Sequence, residues 1–135
     1  MKKSRWSLLL AVPIVFGFAL VKTEAEPAPG VRKFMRPKLD NAQKVLEGLA
    51  LEDFEMVGKN ANALLRLSEA AEWQVLPSPE YVRHSEEFQR VANELIRAAN
   101  NKNLDSATLA YVQLTMNCVN CHKHVREARR VALAQ

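Results

Sequence analysis

The chain has little of the material that most recognisable sites are built from. It carries two cysteines and four glycines in 135 residues. A framework of several disulfides is therefore excluded, and no glycine-rich loop is present to cradle a phosphate. There is no internal repeat and no low-complexity tract, and no segment shows the apolar–polar alternation of a strand. No Ser/His/Asp arrangement and no metal-hydrolase constellation appears. An excess of one charge is also missing once the first 25 residues are set aside. Four of the 19 basic residues and one of the 15 acidic residues lie there, leaving 15 against 14, a net of +1. The basic balance of the whole chain thus gives no support to nucleic-acid binding. Residues 26–135, about 110 in number, suffice for one domain with one core.

What the chain does have is concentrated in Cys118-Val119-Asn120-Cys121-His122, which holds both cysteines. The pattern is C-x-x-C-H, that of covalent haem attachment through two thioethers. Thiols three positions apart on a helix lie on neighbouring sides of one turn and reach two vinyl groups of one porphyrin. The adjacent His122 then sits under the iron as the proximal ligand. A disulfide between Cys118 and Cys121 would close a tiny loop and stabilise little. A thioredoxin-like site would follow a strand, and none precedes Cys118. Zinc would find only three nearby ligands, with Cys121 and His122 pointing apart.

Haem c is attached outside the bacterial cytoplasm, so an export signal is expected ahead of the domain. Lys2, Lys3 and Arg5 form a basic start, and Trp6 to Val21 is uncharged and interrupted only by Ser7, Pro13 and Gly17. That run is short of the roughly 20 residues of a membrane span. Thr23 and Ala25 stand at −3 and −1 of a cleavage site after Ala25. Residues 1–25 are thus an export signal or an uncleaved N-terminal anchor, and either places the folded part in the periplasm. Membrane association would come only through an uncleaved signal.

Residues 26–36, with Pro27 and Pro29, read as an extended leader, and 37–135 as the domain. Leu39, Ala42, Val45, Leu46 and Leu49 follow helical spacing from about Pro37 to Ala50. Phe54, Val57, Ala61, Leu64, Leu65, Ser68 and Ala71 mark a second helix. Leu76-Pro77-Ser78-Pro79 is a break in which Ser78 caps a third helix and Pro79 fits its first position. That helix presents Val82, Phe88, Val91, Ala92, Leu95, Ile96 and Ala99. Asn100 to Asn103 ends it, and Asp105 caps a fourth helix running through the C-x-x-C-H motif to about Val131. The expected fold class is all-α, an antiparallel up-down-up-down four-helix bundle with haem on the last helix. His122 then lies level with the start of the first helix, the end of the second and the start of the third. Met35, Leu39, Trp73, Tyr81, His84 and Phe88 are expected near the haem.

A helical bundle with C-x-x-C-H near the end of its last helix resembles cytochrome c prime and its low-spin relatives, the class II c-type cytochromes. The resemblance covers nearly all of the chain after residue 25. Arg126, four residues after His122, matches a basic family position beside the proximal histidine, and Phe88 matches an aromatic of the third helix. Low-spin members of the family place a Met on the first helix as sixth ligand. Members with an apolar residue there leave the iron five-coordinate and bind small gases. Matching the first helix puts Leu39 at that position and Met35 one turn earlier, where the family commonly has Arg. The sixth ligand is accordingly Met35, none, or His84. Met56 falls at the opposite end of the bundle, and Met116 is too close to the attachment site to reach the far face.

His124, two residues beyond His122, is expected to be an exposed surface histidine. Arg32, Arg36 and Lys38 are either solvated charges at a helix start or partners for haem propionates. Lys123, Arg126, Arg129 and Arg130 form a basic C-terminal run. It is either a solvated helix end or a docking patch for an acidic partner. The expected function is that of a periplasmic electron carrier, not an enzyme, which meets redox partner proteins. In it Met35 serves as a weak or displaceable sixth ligand and Leu39 packs on the distal face. The alternative is a five-coordinate protein that binds nitric oxide or carbon monoxide. A homodimer is compatible with either.

Overall fold

The computed structural model describes residues 29–70, 76 and 78–134, with the backbone alone for residues 29–32. The expected export signal, residues 26–28 of the expected leader, Trp73 and the Arg32 side chain lie outside that set. The described chain forms four helices, α1 (Pro29–Ala50), α2 (Phe54–Glu69), α3 (Pro79–Asn100) and α4 (Leu104–Leu133). No strand occurs among the described residues. The fold is an all-α four-helix bundle. α1 packs along α2, α2 along α3 and α3 along α4, whereas α1 meets α4 only sparsely.

The α1–α2 and α3–α4 connections are built alike. Glu52 and Lys102 take left-handed backbone conformations, with φ of 54° and 51°. Around them the helix ends close as Schellman motifs. The Asp53 N–H donates to the Gly48 carbonyl at 2.8 Å and the Asn103 N–H to the Ala98 carbonyl at 3.0 Å. The same two residues then start the next helices. Asp53 Oδ1 accepts from the Met56 N–H at 2.9 Å, and Asn103 Oδ1 from the Ser106 N–H at 2.9 Å. Asn103, not Asp105, therefore caps α4. Ser78 caps α3 as expected, its Oγ accepting from the Tyr81 N–H at 3.2 Å.

Helix α1 corrects the expected first helix in two respects. It begins at Pro29, so residues 29–36 are helical and Pro37 lies inside the helix. An interior proline removes one backbone donor and typically costs about 3 kcal/mol. On either side of it Phe34 and Met35 are half-buried and Lys38 is buried. The inner face is also rotated. Lys38, Val45 and Leu49 are buried, while Leu39 and Leu46 are 51% and 53% exposed. Gly48 accounts for the rotation. A Cβ there would stand 2.9 Å from Val57 Cγ2 and 3.1 Å from both the Asp53 carbonyl oxygen and the Val57 nitrogen. This close approach turns residues 45, 48 and 49 towards α2. In α3 a similar exchange leaves Val82 exposed and buries Tyr81.

The core changes character along the bundle. Val45, Leu49, Val57, Ala61, Leu64, Val91, Leu95 and Leu114 are among an apolar cluster that fills it towards the two tight connections. The buried polar residues Lys38, Ser68, His84 and Asn117 lie at the other end. There the start of α1, the end of α2, the start of α3 and the later half of α4 share one level. The C-x-x-C-H motif belongs to that polar end.

Candidate functional site

Both cysteines are free thiols. Cys121 is buried, and Cys118 is half-buried against the core cluster. Burial pushes both thiols above their ordinary pKa, and the nearby Lys38 charge only partly opposes this. Protonated thiols are poor nucleophiles, so the pair lacks the electropositive setting of a redox-active C-x-x-C site. His122 follows on the outer side of the turn and is exposed as a residue. The protein around its ring still lowers its pKa by desolvation, with the Arg126 and then the Lys38 charges acting the same way. The neutral imidazole, the form that binds a metal, is thereby favoured.

Lys38 faces these groups from α1. It is 7% exposed, and its Nζ lies 3.8 Å from the centroid of the Phe88 ring on α3. Desolvation lowers its pKa to about 7, against the raising effect of Cys118 and Cys121. Phe88, expected beside the haem, is buried at this level. Met35 is half-buried one turn earlier on α1. Leu39, expected to pack on the distal face, instead faces outward, because the inner register of α1 passes through Lys38. Arg126 is exposed one turn after His122, as are Lys123, Arg129 and Arg130.

The other two histidines belong to the α3–α4 side. His84 is buried, with Nε2 3.3 Å from Glu80 Oε1, and its carbonyl accepts from Asn117 Nδ2 at 3.2 Å. His124, expected to be exposed, is half-buried and pairs with Ser78 Oγ at 3.0 Å through Nε2. The fold brings the cap of α3 against α4, and the two imidazole rings stand 6.1 Å apart. An open groove between α3 and α4 is lined by His84, His124, Glu80, Arg83 and Met116, among others, but by neither cysteine. Among the described residues no three His, Cys, Asp or Glu side chains gather as a metal site.

This donor set fits a covalently attached haem. Two free thiols one turn apart face the bundle interior, an imidazole adjoins them, and the seam towards α1 is the loosest contact between helices. Sequence reasoning placed the cysteines, His122 and Phe88 at one level, and the structure does the same. It missed Lys38 as an inward residue. The signal was the 38–42–45–49 spacing, which extends the buried face back through a lysine.

No family model, no curated protein and no solved structure matches the chain. The class of protein that the fold defines is a four-helix bundle. No described helix is long and apolar enough to cross a membrane.

Proposed function

We propose that the protein is an exported haem c protein that carries electrons between redox partners, and that it is not an enzyme. The observation that carries this reading is the placement of Cys118 and Cys121 on the inner side of α4, opposite the loose α1 seam, with His122 beside them. When bound, a haem supplies one-electron chemistry between ferric and ferrous iron.

This chain's residues supply attachment, orientation and access. Cys118 and Cys121 would hold the haem as thioethers, each sulfur bonded to one former vinyl carbon and its hydrogen to the other, so that no oxidant would be consumed. His122 offers a nitrogen to the iron, and Phe88 packs from α3. The exposed Lys123, Arg126, Arg129 and Arg130 surround the exit of α4 with positive charge, a surface suited to steering an acidic redox partner.

The test is a redox titration of the purified holoprotein followed by optical and EPR spectra. A carrier cycles reversibly between the two oxidation states with unchanged haem content. A protein that instead takes up nitric oxide stoichiometrically and exchanges no electrons with mediators contradicts the proposal.

A further inference from the structure

We propose that Lys38, rather than Met35 or Leu39, is the distal ligand of the haem iron, its amine nitrogen reaching across the α1–α4 seam. The inference rests on the haem-binding reading above and concerns the face of the haem opposite His122.

Lys38 is singled out by its position on α1. The amine and thioether side chains of α1 are those of Lys33, Met35, Lys38 and Lys44, and its carboxylates, Asp40 and Glu47, are exposed. Lys33 and Lys44 are exposed and Met35 is half-buried, so Lys38 alone has its head group deep inside. Leu39, at the place expected to face the iron, has no donor and points to solvent. His84 is turned towards Glu80 and the α3–α4 groove, away from the α1 seam.

The Lys38 head group lies over Phe88 of α3, and its charge acts on Cys118, Cys121 and His122 of α4. One nitrogen from α1 therefore stands at the meeting point of three helices, beside both attachment sulfurs.

The chemistry is compatible. An amine binds iron only when neutral, and the Lys38 head group is buried away from water.

The experiment compares ferric holoprotein of the wild type with Lys38→Leu, Lys38→Met, Lys38→Arg and Met35→Leu. Haem content is measured by mass first, and folding by far-UV circular dichroism. EPR and the red charge-transfer band of sulfur-ligated ferric haem are the readouts. Lysine ligation gives a low-spin wild type without the sulfur band. It also gives conversion to high-spin in Lys38→Leu and in Lys38→Arg, whose guanidinium stays protonated. Lys38→Met gains the sulfur band, and Met35→Leu matches the wild type. A wild type that shows the sulfur band and loses it in Met35→Leu overturns the inference, as does a high-spin wild type indifferent to Lys38→Leu. If the Lys38 variants fail to fold, the wild-type band and Met35→Leu still decide. Wild-type protein without haem would instead remove the haem reading itself, an outcome distinct from loaded protein insensitive to Lys38.

Discussion

The Nζ atom of Lys38 on α1 stands 3.8 Å from the centroid of the Phe88 ring on α3. A cation over an aromatic face gains about 0.5–2 kcal/mol, while burying it away from water costs more. The pair sits at the polar end of the bundle, level with the only two cysteines of the chain. The same contact has consequences for haem-free protein.

In haem-free protein, stability should rise with pH from about 7 upward. Lys38 has its folded pKa lowered to about 7 from an ordinary 10.5. Between those values the unfolded chain binds more protons than the folded one, so raising the pH favours folding. Below about 7 the lysine is charged in both states and its burial penalty is fully felt. Cys118 and Cys121 act oppositely: their raised thiol pKa values make stability fall once unfolded thiols ionise, above roughly pH 8.5. The clean window is therefore between those two limits. Urea unfolding there should show a positive slope for the wild type and a much weaker one for Lys38→Met. Lys38→Met should also be more stable at pH 7, by on the order of a few kcal/mol.

Gly48 and Gly58 should respond oppositely to alanine. At Gly48 the added methyl meets Val57 and the Asp53 carbonyl at 2.9–3.1 Å. Gly48→Ala should cost about 1–3 kcal/mol by prising α1 from α2. At Gly58 the nearest atom is Ala99 Cβ at 3.7 Å, an ordinary contact. Gly58→Ala should stabilise by up to about 1 kcal/mol through helix propensity. Equal losses in denaturant unfolding would contradict the packing described.

Lys102 holds φ of 51° at the α3–α4 turn. Lys102→Gly should raise stability by about 0.5–1 kcal/mol, because glycine enters that region without steric cost. A lower thermal midpoint would show that the lysine side chain contributes more than its backbone strain costs.

Much of this architecture is legible in the residues. Ser78-Pro79 marks the start of α3, and the spacing of Val57, Ala61, Leu64 and Ser68 marks the inner face of α2. The register of α1 is not, because both faces carry leucines and the choice is made by the approach at Gly48, a tertiary contact. Its start is hidden because Pro37 signals a helix boundary locally, whereas the helix continues through it. His124 was misjudged because its partner, Ser78, lies 46 residues away and is brought close only by folding. The spacing of Cys118, Cys121 and His122 singles them out in the sequence, and the structure turns the two thiols inward with His122 adjoining them. The site was illegible at Lys38, where inward orientation contradicts the ordinary behaviour of a lysine.

The two nearby histidines of α4 should separate cleanly. His122→Ala should change the visible spectrum of the holoprotein grossly. His124→Ala should leave the spectrum unchanged and cost about 1 kcal/mol for the lost bond to Ser78. Equal spectral effects would contradict the assignment of His122 as the proximal ligand.

The central claim is that Cys118 and Cys121 hold one haem by thioether bonds. Intact mass spectrometry of protein made in a host competent for haem c maturation tests it most directly, after acid–acetone extraction has removed any loosely bound porphyrin. The account predicts a mass raised by one haem, and loss of that increment when Cys118→Ser and Cys121→Ser are combined in a protein that still shows a helical circular dichroism spectrum. A mass equal to that of the bare polypeptide, from a host shown to mature another c-type cytochrome in parallel, would contradict it.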